Sequence, residues 1–131
     1  MLNAIDNCGI DQNSIQNLNL IELCAYGNKK ITSVSHMKNL RILNAGDNCG
    51  IDQNDIQNLN LIDLYAIGNN KIISVYHMKN LQILYAGDNG GIEQDDIKNL
   101  NLIELCSCGN KKIKTDSNMK NEQILNGKCS R

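Results

Sequence analysis

The chain has 131 residues, with 13 Lys+Arg against 14 Asp+Glu, 41% hydrophobic residues, 3% aromatics and no Pro, Trp or Phe. This suits one small soluble domain and excludes a collagen, a coiled coil or a membrane protein. No run approaches the ~20 continuous apolar residues of a spanning helix, and Met1-Leu2-Asn3-Ala4-Ile5-Asp6 has neither the basic start nor the apolar run of a signal peptide, so the expected location is cytoplasmic with no membrane partner. A formal charge of −1 without a basic cluster gives nucleic acid no electrostatic foothold.

With 22 Asn, 18 Ile and almost no large aromatics, any core must be assembled from Leu, Ile and Ala in narrow, regular layers. Leu2, Leu43, Leu84 and Leu125 are spaced by 41 residues, as are Leu23, Leu64 and Leu105. Each 41-residue unit divides into a 21-residue half, such as 40–60, and a 20-residue half, such as 61–80. Both carry the frame Leu-x-x-Leu-x-Ala-x-x-Asn-x-x-Ile, as in Leu40, Leu43, Ala45, Asn48 and Ile51. The predicted rungs of this single domain, 1–131, are 1–19, 20–39, 40–60, 61–80, 81–101 and 102–121, followed by a degenerate end at 122–131.

The first rung enters mid-frame at Met1, which leaves Leu2, Ala4 and Ile10 as an uncapped apolar layer and points to self-association through that rung. In every rung a short strand turns residues such as Leu43 and Ala45 inward and their neighbours outward. The Asn at the ninth place (Asn7, Asn28, Asn48, Asn69, Asn89, Asn110) then predicts a ladder satisfying the backbone of the turns. Ile10, Ile31, Ile51, Ile72, Ile92 and Ile113 re-enter the core. The return arcs carry Ile15, Ile56 and Ile97 with Leu18, Leu59 and Leu100 in the longer halves, and Val34 and Val75 with Met37, Met78 and Met119 in the shorter. They are long enough only for single helical or 3₁₀ turns. The pattern decays at the C-terminal end, where Asp116, Glu122 and Gly127 replace Val, Leu and Ala.

A 20-to-21-residue period with this spacing resembles the leucine-rich repeat family over essentially the whole chain. The wording His-Met-Lys-Asn-Leu-x-Ile-Leu-x-Ala-Gly-Asp-Asn, with Gly-Ile-Asp-Gln and Asn-Leu-Asn-Leu-Ile-Glu-Leu, is similar to tandem leucine-rich proteins of giant DNA viruses of amoebae. The expected fold is α/β: a right-handed leucine-rich repeat solenoid with a parallel β-sheet on the concave face and short helical or 3₁₀ turns on the convex side. The resemblance implies a non-enzymatic scaffold that binds a protein partner it does not name. The alternative is an uncapped structural fragment, or decaying duplicate of a longer array, with no ligand of its own.

Six Cys and two His suggest metal or redox chemistry, but rung spacing opposes it. Cys8 and Cys49, like His36 and His77, lie two rungs or ~10 Å apart; Cys106 and Cys108 are too few for a metal and too strained as neighbours for a disulfide. Reduced thiols, no metal and no cofactor are expected. No phosphate loop or nucleophile motif occurs, and a group repeated at every rung does not make one asymmetric active centre. The candidate binding residues therefore lie on the outward strand face: Tyr26, Ile42, Asp47, Asp63, Tyr65, Ile67, Ile83, Tyr85, Asp88 and Glu104. Exposed aromatic and aliphatic groups with an acidic rim fit a protein-binding patch.

Overall fold

The computed structural model describes residues 1–88 and 90–114 and the backbone of 123–124. Where Leu and its outward neighbours alternate, the chain forms short strands: β1 (Leu2–Asn3), β2 (Glu22–Cys24), β3 (Ile42–Asn44), β4 (Asp63–Tyr65), β5 (Ile83–Tyr85), β6 (Glu104–Cys106) and β7 (Gln123–Ile124). They lie side by side in chain order in one open, all-parallel sheet. Equivalent residues of the frame are register partners, with Leu23 beside Leu43, Leu43 beside Leu64, and Leu64 beside Leu84. The architecture is thus α/β and solenoid-like, one strand per coil.

The apolar columns stack as the frame predicts. Leu43, Leu64, Leu84 and Leu105 are fully buried, as are Ala25, Ala45 and Ala86, and Ile31, Ile51 and Ile72 close the layer behind them. Val34, Val75, Met37 and Met78 fill the return arcs of the shorter coils. Each coil buries its interior only against its neighbours, so stability accumulates along the stack.

Among the described residues helical turns form in the longer coils: α1 (Gln12–Ile15), α2 (Gln53–Ile56) and α3 (Gln94–Ile97). The carboxylates of Asp11 and Asp52 cap the first two, accepting from the backbone N–H of Ser14 and Asn54, and they have non-helical, extended backbone at those places. The shorter coils 20–39 and 61–80 return through turns without a helix.

Three expectations are corrected. The Asn ladder does not include every described rung: Asn28, Asn69 and Asn110 are buried, whereas Asn7 and Asn48 are exposed, and Asn89 lies outside the described residues. The cause is a one-residue difference in the turn after the strand. In the shorter coils the turn closes at the ninth residue, with the N–H of Asn28 donating to the Ala25 carbonyl and that of Asn69 to Ala66. In the longer coils it closes one residue later, as Cys8 N–H to Ile5 and Gly90 N–H to Gly87 show. The tenth residue then takes the interior place, and Cys49 is fully buried there, its thiol donating to the Ala45 carbonyl at 3.1 Å.

The second correction concerns thiols. Cys106 is disulfide-bonded, while the thiols of Cys8, Cys24 and Cys49 are free. The pairings considered from rung spacing left out Cys129, which lies outside the described residues. The third concerns the last strand, where Leu105 pairs with Ile124 instead of Leu125. With Glu122 in place of the first Leu, the apolar pattern that pins the register is missing there. Asp116, Met119, Glu122 and Gly127 themselves fall outside the described residues. Among the described residues no helix is long and apolar enough to cross a membrane.

Two polar side chains per unit tie coils together. Asn69 Nδ2 donates to the carbonyls of Ala45 at 2.7 Å and Ile51 at 3.1 Å in the preceding coil, while its Oδ1 accepts from the Lys71 N–H at 2.9 Å. Asn28 and Asn110 repeat the arrangement one unit away on either side. Gln53 reaches in the opposite direction: its Oε1 accepts from the N–H groups of Ile73 and Ser74, and its Nε2 donates to the Ser74 carbonyl. Gln12 does the same for Thr32 and Ser33. Both residues join a longer coil to the shorter coil that follows it.

Candidate binding surface

Parallel pairing places the outward residues of successive strands in columns. Glu22, Ile42, Asp63, Ile83 and Glu104 are consecutive register partners, as are Cys24, Asn44, Tyr65, Tyr85 and Cys106. At ~4.8 Å per rung, each side chain touches the one above and below. A shallow hollow of about 300 Å³ opens on this face, bordered chiefly by Glu22, Cys24, Ile42, Asn44, Tyr65 and Tyr85.

The two tyrosines form its aromatic wall. Their ring centroids are 4.8 Å apart and the rings are tilted by 51°, within the range of favourable aromatic pairs. The Tyr85 hydroxyl donates to the Glu104 carboxylate, which fixes the ring across the rung boundary. Tyr26 is half-buried and lies over Gly46, where an added Cβ would come within 2.9 Å of the ring. Glycine at 46 thus leaves the room that the ring occupies.

The carboxylates are placed in two groups. Asp63 sits in the column between Ile42 and Ile83, with Glu22 and Glu104 two rungs away on either side, ~10 Å each. Burial pushes its carboxyl above the usual aspartate range, and the negative charges of Glu104 and Glu22 push it further. Asp47 and Asp88 stand apart, exposed in the turns beyond the strands, where they adopt the left-handed backbone at φ of 56° and 55°. They form a rim and do not border the hollow.

Of the ten candidates, Ile42, Asp63, Tyr65, Ile83, Tyr85 and Glu104 form one contiguous surface. Ile67 does not: at 8% exposure it is covered, although it lies outside the hydrophobic core cluster to which its neighbour Ala66 belongs. Glu22, Cys24 and Asn44 border the hollow and were not among the candidates. Cys24 is buried, and Asn44 is held down by its Oδ1 accepting from the Gly46 N–H at 3.1 Å.

The Asp63 environment makes a prediction. Because the folded chain holds the Asp63 proton more tightly than the unfolded chain, ionisation opposes folding, and this contribution to stability falls as pH rises through the carboxylate range. Asp63→Asn is expected to raise the thermal midpoint at neutral pH, with the gain shrinking on acidification. Identical midpoints for the two proteins at all pH values would contradict it.

No protein-family model, curated protein or solved structure matches the chain. What can be said of its class comes from its own residues: a repeat-like, all-parallel α/β protein with an aromatic and acidic strand face.

Proposed function

We propose that the chain is a leucine-rich repeat protein, resembling the tandem repeat proteins of giant viruses, and that it is a non-enzymatic scaffold binding a protein partner through its strand face. The observation that carries this reading is the Tyr65–Tyr85 pair standing over a hollow beside Ile42, with Asp63 and Glu104 at its side. Paired aromatics with adjacent aliphatics supply contact area at low entropic cost, and such residues dominate the energetics of protein interfaces. The periodic placement of its carboxylates speaks against a single reactive constellation.

The test is affinity purification from cells that make the protein, with Tyr65→Ala/Tyr85→Ala as control. A specific partner retained by the wild type and lost from the double variant is expected. Recovery of no partner, or of one indifferent to both substitutions, would argue instead for a repeat array without a ligand of its own.

A further inference from the structure

Each coil from β2 to β6 carries one isoleucine just before or at the start of its strand, and the position alternates. Ile21, Ile62 and Ile103 precede their strands by one residue, whereas Ile42 and Ile83 open theirs. Backbone bonds join them in pairs, the Ile42 N–H donating to the Ile21 carbonyl and the Ile83 N–H to the Ile62 carbonyl, while the N–H groups of Ile62 and Ile103 donate to Arg41 and Gln82. The result is a staggered aliphatic stripe crossing five consecutive coils, ~19 Å long at the spacing of parallel strands. It is not covered by the chain, since Ile21 and Ile103 are 63% and 49% exposed and the other three are half-buried. A second hollow of about 390 Å³, bordered in part by Ile62 and Ile103, lies along its far side from the tyrosines.

Charge in the outward column is negative only, while the cations Arg41 and Lys79 border the second hollow with Ile62 and Ile103. Glu22, Asp63 and Glu104 fill the places that the alternation leaves between isoleucines, every second rung. The only ion pair among the described residues is Lys98 with Asp95, far from this column in sequence. Arg41, next to Asp63 on the neighbouring strand, directs its guanidinium to the carbonyls of Lys38 and Leu40 at 3.1 and 3.0 Å.

These spacings suit one kind of occupant. An α-helix rises ~5.4 Å per turn, so aliphatic residues at i, i+3 or i+4 and i+7 advance nearly in step with rungs of ~4.8 Å. Two turns cover ~10 Å, the separation of successive carboxylates, so basic residues seven apart would meet Glu22 and Asp63, or Asp63 and Glu104, together. An extended peptide lying along the stack would advance ~6.6 Å for each pair of residues on one face and fall out of step within two rungs.

We infer that the partner segment of this protein is a basic amphipathic helix of about four turns, laid along the Ile21-to-Ile103 stripe with its cations against Glu22, Asp63 and Glu104. This rests on the strand-face reading above and specifies the chemistry of the partner.

The test uses two phage-displayed libraries selected against the full chain, one randomised on the outer face of a rigid helical scaffold and one of unstructured 12-residue peptides. The helical library is expected to enrich sequences with aliphatic residues on one face and Lys or Arg seven apart. Their affinity should fall about tenfold or more with Asp63→Lys or Ile103→Asn, and also with rising salt. Glu22→Gln/Glu104→Gln, which keeps side-chain shape, should weaken binding in the same direction, and thermal unfolding of each variant confirms that it is folded. Enrichment of the unstructured library alone, with binding lost in Tyr65→Ala/Tyr85→Ala, would overturn the helix while sparing the strand-face reading. Enrichment of neither library would overturn both. Enriched helices whose binding ignores Asp63→Lys and Ile103→Asn would overturn the assignment to this stripe.

Discussion

Leu64→Ala is expected to destabilise the protein by about 2–5 kcal/mol, while Lys79→Ala changes it by no more than about 0.5 kcal/mol. Leu64 is fully buried in a central strand, with Leu43 and Leu84 as its register partners, so truncation removes contacts with both neighbouring coils. A cavity there cannot be closed by one flank moving, because each flank is fixed by its own neighbour. Lys79 is exposed. Chemical denaturation of both variants measures the difference, and comparable losses would contradict the register of the sheet.

Asn69→Ala should cost about 1–3 kcal/mol, whereas Asn48→Ala, at the same place in the preceding coil's frame, should cost no more than about 0.5 kcal/mol. Asn69 is buried, and its loss strands the carbonyls of Ala45 and Ile51 and the N–H of Lys71 without the partner they have now. Asn48 is exposed. Denaturation midpoints of the two variants decide the matter. Equal costs would mean that the ladder runs through every coil, contrary to the alternating turns.

These contrasts mark what could be read from the chain and what could not. The Leu, Ile and Ala columns follow from apolar alternation together with an internal repeat, two periodicities that agree and leave only one way to stack. Asn48 was misassigned because the frame has identical spacing in both halves, while the turn that follows the strand does not. A signal was present at the next residue: the buried Cys49 and Gly90 in the longer halves against the exposed Lys29, Asn70 and Lys111 in the shorter. Small residues alternating with polar ones there distinguish an interior place from an exposed one.

Gln12, Gln53 and Gln94 escaped notice for a different reason. Each opens a helical turn, where a polar residue needs no special explanation, and its partners lie about twenty residues ahead, meeting it only once the coils are stacked. The strand face is legible where strands run side by side, in the columns from Glu22 to Glu104 and from Cys24 to Cys106. The stripe of isoleucines was overlooked because its members alternate between two frame positions, so no single column displays it.

The direction of the Asn and Gln bridges bears on how such a chain can lengthen or shorten. Excising residues 40–80 would remove a longer coil together with the shorter coil to which it is tied, and would bring 39 against 81, a junction of the kind already present between 39 and 40. Every surviving bridge would keep both of its ends. Excising 61–80 alone would set two longer coils together, leaving Gln53 without Ile73 and Ser74, and the carbonyls of Ala45 and Ile51 without Asn69. The tolerated step of gain or loss is therefore the pair of coils, and inheritance of repeats in pairs preserves the alternation on which the isoleucine stripe depends.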